Sequence, residues 1–146
     1  MHLIDLAAGF MGATPIVGGT VPLAVGAAWA ASLRASDQIS VVFFGDGCLE
    51  EGVVHESLNF AALHRLPIVF VCENNDFSVY TRREERQPIR PIFRIAEAHG
   101  ITAATGSGND VREVLRIAEA AVAAARRLAA SRVACRTAGR AATCTT

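Results

Sequence analysis

The chain has 146 residues, with 14 basic and 14 acidic side chains, and 51% of its residues are hydrophobic. This composition is that of a folded globular domain and excludes a disordered chain, while the apolar run 21–33 is broken by Gly26 and is too short to cross a membrane. Five arginines and no acidic residue lie between Ala120 and Thr146, but no aromatic residue accompanies them, so we expect no nucleic-acid partner. The four cysteines form no CxxC pair and no secretory leader is evident, which favours reduced thiols and a cytoplasmic protein.

The first half of the chain predicts two helices that alternate with two strands. Thr20–Arg34 is apolar on almost every side, which predicts a buried helix. Gln38–Phe44 is a β-branched and aromatic run that predicts a strand buried on both faces. Apolar residues at helical spacing predict a second helix over Glu50–His64, with Glu50 and its neighbour in the first turn. Ile68–Cys72 predicts a second buried strand.

The second half continues the alternation after a polar segment. Asp76–Pro91 is rich in charge and predicts a surface loop, and a short helix at Phe93–His99 and a strand at Ile101–Ala104 are expected after it. A helix over Val111–Leu128 would be capped by Asn109 or Asp110. Strands that alternate with helices predict an α/β fold with a doubly wound parallel sheet. We therefore assign a core to residues 1–128 and an atypical basic tail to residues 129–146.

Two polar clusters follow the first two predicted strands. The first is Gly45-Asp46-Gly47, and the second is Glu73-Asn74-Asn75. Because the carboxyl ends of neighbouring parallel strands meet at one edge of a sheet, Asp46 and Asn75 should lie side by side. A carboxylate and an amide oxygen suit Mg²⁺, and the glycines allow free N–H groups to approach an anion. The alternative is that these residues form only a tight turn and caps.

The two clusters and the stretches around them resemble a known family. GDG followed by NN at this distance resembles the thiamine diphosphate motif of transketolases, pyruvate decarboxylases and 2-oxoacid dehydrogenases. The stretches MHL, IVGGTVPLAVGAA, FFGDGCLEEGVVHESLNFAAL, LPIVFVCENN and AHGI resemble the α subunit of the dehydrogenase E1 component, as in pyruvate or acetoin dehydrogenase complexes. The resemblance covers about Met1 to Arg127 and implies an incomplete sheet of the thiamine diphosphate-binding type.

The resemblance implies a cofactor site made of side chains and backbone groups. Mg²⁺ would be held by the side chains of Asp46 and Asn75 and by the backbone carbonyl of Phe77. Backbone N–H groups of Gly47 and Cys48 would face the diphosphate. The turn from Pro15 to Gly18 would meet the aminopyrimidine, with Val17 as the contact. Ile16 and Val17 could equally be packing residues.

The resemblance also implies an activity shared between subunits. Family members are oxidoreductases that act on an aldehyde or oxo group with a lipoyl disulfide acceptor, and their substrates are 2-oxo acids such as pyruvate, or acetoin. The partners would be an E1 β subunit in an α₂β₂ assembly and a lipoyl-bearing E2 component, with no membrane partner. The carboxylate that activates the cofactor comes from the β subunit, so we name no catalytic residue in this chain.

The histidines and the single tryptophan receive structural interpretations. The helix that carries His55, Glu56 and Asn59 lies at the subunit interface in the family, which favours a role in assembly. His2, His64 and His99 show no paired spacing, so a structural or surface role is expected. Trp29 lies in an apolar helix and is expected in the core.

The last segment departs from the family pattern. Cys135-Arg136-Thr137 resembles the start of the family's final strand, but the histidine loop that follows it in the family has no counterpart after His99. We interpret the chain as a fragment whose tail from about Ala129 is out of frame, and we expect unaided catalysis to be very slow or absent. Two alternatives stay open: a catalytically inert truncated product or interaction module, and a transketolase-like half.

Overall fold

The computed structural model describes residues 3–128 and 131–137, with side chains up to residue 127. His2 and residues 129–130 and 138–146 of the predicted tail lie outside the described residues. The helices are α1 (Thr20–Leu33), α2 (Gly52–Leu63), α3 (Arg83–Arg86), α4 (Phe93–Ala98) and α5 (Val111–Leu128), with a 3₁₀ helix, η1, at Asp46–Glu50. The strands are β1 (Ser40–Gly45), β2 (Ile68–Asn74), β3 (Phe77–Ser78), β4 (Thr81–Arg82), β5 (Ala103–Ala104) and β6 (Ser131–Thr137). No helix of the described part is long and apolar enough to cross a membrane.

Four strands form a parallel sheet in the order β1-β2-β6-β5. The connection from β1 to β2 runs through η1 and α2, and the connection from β5 to β6 runs through α5. β3 and β4 form a separate two-stranded antiparallel ribbon. The predicted α/β class with a parallel sheet is therefore confirmed.

Helices cover both faces of this sheet. On one face, Phe70 and its alternate neighbours on β2 pack with α1, α2 and α4, and Leu58 is a central residue of that core. On the other face, Val69 and Val71 pack against Ile117 and small residues of α5. Since successive side chains of a strand point to opposite faces, β2 is buried on both sides, as its continuous apolar run predicts. The sheet is doubly wound.

The prediction that β1 is buried on both faces is wrong. Val42 and Phe44 lie in the core, but Val41 is 43% and Phe43 is 59% exposed. β1 is an edge strand, and α5 packs on β2 and β6, so no described element covers the second face of β1. An apolar run shows that a strand could be buried on both faces, but it does not show whether another element packs on each face.

The prediction of a fully buried first helix, with Trp29 in the core, is also wrong. Only one side of α1 is buried, through Val21, Val25 and two alanines, and Trp29 is 42% exposed. The indole instead lies edge-on against Phe60, with 5.1 Å between ring centroids, and stacks on His64 at 5.9 Å. Trp29 therefore joins α1 to α2 at the rim of the core.

The structure places a strand within the segment assigned to the tail. β6 pairs with β2 over seven residues, from Ile68↔Ser131 to Asn74↔Thr137, and it also pairs with β5. The segment assigned to the tail therefore includes a strand that lies between two others in the sheet. The interpretation that the tail is out of frame stays a prediction.

Candidate functional site

The two polar clusters lie at the same edge of the sheet, as predicted. The last paired position of β1 and β2 joins Gly45 to Glu73, so Asp46 follows one residue and Asn75 two residues beyond it. Neighbouring strands are about 4.8 Å apart, which brings the two chain segments side by side where they leave the sheet. The turn after Gly45 is the 3₁₀ helix η1, with no side-chain cap on its first N–H groups.

The loop after Asn75 folds back onto η1. A Cβ atom built on Gly47 would lie 2.6 Å from Oγ and 3.0 Å from Cβ of Ser78. A side chain at position 47 would therefore have to displace the side chain of Ser78. The residue that follows Asp46 is thus in direct contact with the residue that follows Phe77.

Asn74 and Asn75 shape the loop in different ways. Asn74 is buried, and its side chain accepts from the backbone N–H of Asp76 at 3.0 Å and donates to the carboxylate of Asp76 at 3.1 Å. Asn75 is exposed, and its Oδ1 accepts from the backbone N–H of Phe77 at 2.9 Å. An amide oxygen has two lone pairs, so this bond orients Asn75 and leaves it able to bind a cation.

Asp46 is the most buried acidic group at this edge, with 1% exposure. Its Oδ2 accepts from Nη2 of Arg86 at 2.7 Å. Its Oδ1 accepts no hydrogen bond within the described part of the chain. A buried carboxylate oxygen without a partner is costly, and a bound cation would satisfy it. The donor set of one carboxylate, one amide oxygen and a backbone carbonyl therefore fits Mg²⁺.

Arg86 is the centre of a polar network that the sequence pattern does not predict. Its guanidinium also pairs with the carboxylate of Glu50, and it is only 10% exposed. Nε2 of Gln87 donates to the backbone carbonyl of Asp46 at 3.0 Å and to Glu50 at 2.8 Å. Glu50 therefore ends η1 and binds this network, and does not lie in the first turn of α2 as predicted, because the 3₁₀ helix displaces the start of α2 to Gly52.

The remaining predicted contacts lie around the same edge. Phe77 is half exposed in the short ribbon, with the guanidinium of Arg82 5.8 Å from its ring centroid. Cys48 is partly buried and is not in a disulfide. Among the described residues, no three or more histidine, cysteine or acidic side chains come together as a group that could hold a metal ion. The assignments of Gly47, Cys48 and Phe77 as ligand contacts stay predictions.

The turn that carries Val17 packs beside the start of α2. Gly18 has a φ of +75°, and a Cβ atom there would lie 3.4 Å from the side chain of Glu51. Val17 is 57% exposed and Ile16 is also exposed, so the described part of the chain does not use them as core residues. Exposure at this position leaves the turn available to a ligand or a partner.

A histidine pair ties η1 to the end of α4. Because a carbonyl only accepts, Nε2 of His55 donates to the Leu49 carbonyl at 2.9 Å. Nδ1 of His55 lies 3.2 Å from Nε2 of His99, within hydrogen-bond distance. Burial lowers the pKa of His99 below its ordinary value, and the neighbouring His55 lowers it further. Sequence spacing misses this pair, because the two histidines are 44 residues apart.

Comparisons with known proteins agree on one family. The family model described as the dehydrogenase E1 component matches residues 1–131. The α subunit of an acetoin:2,6-dichlorophenolindophenol oxidoreductase from Bacillus subtilis is 41% identical over 126 residues, which is 86% of this chain and 38% of that protein. The pyruvate dehydrogenase E1 component α subunit of Rickettsia bellii is 36% identical over 114 residues, which is 78% of this chain and 35% of that protein.

A solved structure supports the same assignment. A protein from Mycobacterium smegmatis, described as a thiamin diphosphate-dependent enzyme, superimposes with a TM-score of 0.64 and 26% identity, over 90% of this chain and 24% of its own. The chain spans little more than a third of the length of these curated relatives. The chain belongs to the dehydrogenase E1 component family, with the acetoin and pyruvate dehydrogenase α subunits among its relatives.

Proposed function

We propose that this chain binds thiamine diphosphate together with Mg²⁺ at the edge of the sheet formed by Asp46 and the Asn75–Phe77 loop. The observation that carries the proposal is the buried carboxylate of Asp46, whose Oδ1 has no donor among the described residues while the second polar loop folds against the next residue. These oxygens would hold the cation, which would offset the negative charge of the diphosphate. Backbone N–H groups of Gly47 and Cys48 would meet the diphosphate, and the turn at Val17 would contact the aminopyrimidine.

We infer that the chain acts as an E1 α-type subunit in the oxidative decarboxylation of a 2-oxo acid or in the cleavage of acetoin. The cofactor would supply the carbanion chemistry, and the acyl group would pass to the lipoyl arm of an E2 component. The residues of this chain bind and orient: Asp46 and Asn75 hold the cation, and Gly47 permits close approach of backbone to ligand. A β subunit in an α₂β₂ assembly would supply the activating carboxylate.

The competing functions make different predictions about binding. The family match favours an E1 subunit over a transketolase-like half, because the curated relatives are α subunits of an acetoin oxidoreductase and of the pyruvate dehydrogenase E1 component. An inert product or interaction module would keep the fold and fail to bind cofactor. Cofactor binding is therefore the property that separates these functions.

Calorimetric titration of thiamine diphosphate into the full chain, with and without Mg²⁺, tests the proposal. We expect binding that needs Mg²⁺ and that Asp46→Asn abolishes, because the substitution removes the charge on the oxygen that would meet the metal. Asp37→Asn, which changes an exposed acid in the loop before β1, is the matched control and should bind as the unmodified chain does. Equal binding by Asp46→Asn, or binding indifferent to Mg²⁺, would contradict the metal site.

A further inference from the structure

We propose that Arg86 and Gln87 are positioning residues for the metal ligand Asp46. This inference rests on the proposed function, because it assigns a role toward the cation at the same site. Both residues lie in the segment that the charge pattern predicts as a solvated loop. In the structure Gln87 is buried and the side chain of Arg86 is only 10% exposed, and together they contact the side chain and the backbone of Asp46.

The two carboxylate oxygens of Asp46 differ in their contacts. Arg86 binds Oδ2 at 2.7 Å, while Oδ1 is left without a donor among the described residues. Gln87 holds the backbone of the same residue through its carbonyl oxygen, at 3.0 Å. With one oxygen and the backbone held, rotation of the carboxylate is restricted and Oδ1 is the oxygen presented to a cation. Partners that orient a metal ligand in this way are a general feature of metal sites.

Glu50 completes the arrangement by holding the two positioning residues. Its carboxylate pairs with the Arg86 guanidinium and accepts from Gln87 at 2.8 Å. The planar guanidinium has donors enough to bind two carboxylates at once, which the ammonium of a lysine does not match in geometry. Two carboxylates against one guanidinium leave a net negative charge, which suits a site for a divalent cation.

The sign of the effect separates positioning from simple charge. If Arg86 acted only as a nearby positive charge, its removal would strengthen cation binding, since like charges repel. If Arg86 positions Asp46, its removal weakens cation binding, and changes to such partners typically cost about 10–100-fold in metal affinity. The two roles therefore predict opposite changes in one measurement.

The experiment titrates Mn²⁺ into the full chain at saturating thiamine diphosphate and measures the dissociation constant by calorimetry and by the paramagnetic resonance of free Mn²⁺. We expect Arg86→Met to weaken Mn²⁺ binding by about 10-fold or more, and Arg86→Lys to weaken it also, although the charge is kept. Gln87→Met, which leaves the Arg86 ion pair intact, should weaken it to a smaller degree. Arg94→Met, which removes an exposed arginine paired with Glu97, is the matched control and should leave the affinity unchanged.

The outcomes distinguish the inference from the function on which it rests. Unchanged or tighter Mn²⁺ binding by Arg86→Met, or a lower unfolding temperature in the absence of metal with unchanged Mn²⁺ affinity, would overturn the positioning role and leave the proposed function standing. Failure of the unmodified chain to bind Mn²⁺ would overturn both. If circular dichroism shows that Arg86→Met does not fold, Arg86→Lys and Gln87→Met decide the question by the same criterion.

Discussion

Gly47→Ala should be destabilising because of a contact with one named side chain. The new Cβ would lie 2.6 Å from Oγ and 3.0 Å from Cβ of Ser78, and its next neighbour, Nη1 of Arg86, is at an ordinary 3.6 Å. Gly47 is not among the glycines with positive φ, so the backbone accepts alanine and only the lack of space opposes it. Overpacking of this kind costs about 1–3 kcal/mol. At this chain length we expect a decrease in Tm of about 3–5 °C for each kcal/mol.

The double variant Gly47→Ala/Ser78→Gly tests that explanation directly. Both short contacts belong to the side chain of Ser78, so its removal relieves them and the double variant should be about as stable as Ser78→Gly alone. Ser78→Gly by itself should cost about 0.5–1 kcal/mol through backbone entropy. Urea unfolding of the four proteins gives the coupling energy between the two positions, which we expect to be about 1–2 kcal/mol in the direction of rescue. Additive effects, with no rescue, would refute the steric reasoning.

Two further predictions concern groups outside the candidate site. The pKa of His99 is lowered in the folded chain, so the unfolded chain takes up the proton first and the free energy of unfolding should fall as the pH drops below about 6.5. Urea unfolding at about pH 7.5 and about pH 5.5 should show a smaller loss of stability for His99→Gln than for the unmodified chain. An equal loss would contradict the argument. Asp110 Oδ1 accepts hydrogen bonds from the backbone N–H groups of Arg112 and Glu113 at the start of α5. In thermal unfolding, Asp110→Ala should therefore cost about 1 kcal/mol of stability, whereas Asn109→Ala should cost little. The reverse order would show that the cap is misassigned.

Local patterns predicted the alternation of elements because burial and periodicity are coupled within a single helix or strand. The continuous apolar run of β2 matches burial on both faces, and Asp110 is one of the two caps that the pattern allowed. The pattern failed where burial depends on a distant element. Phe43 is as apolar as its sheet neighbour Val71, but Phe43 lies on an edge strand that α5 does not cover, whereas Val71 lies in the centre of the sheet and packs against α5.

Part of the candidate site could likewise be predicted from the local sequence, and part depends on contacts between distant segments. Asp46 and Asn75 could be placed together because parallel strands fix where each chain segment leaves the sheet. Arg86 could not be placed with them, because a charged run in a polar loop is normally solvated and nothing in the spacing separates Arg86 from Arg82 or Arg90. The feature that distinguishes Arg86 is its burial against two carboxylates, which arises only when the segment folds back over η1.

The fold-back of this segment gives the loop after β2 two roles at one edge of the sheet. Its first residues, Asn75 and Phe77, follow the end of β2 at the edge where Asp46 follows β1, and its later residues, Arg86 and Gln87, bind Asp46. A single chain segment therefore contributes two of the three proposed cation ligands, together with the groups that orient the third ligand, Asp46. It follows that a change in the length of the loop between Ser78 and Arg86 should affect cation affinity even where every ligand is kept, because ligand and positioning group are joined by that connection.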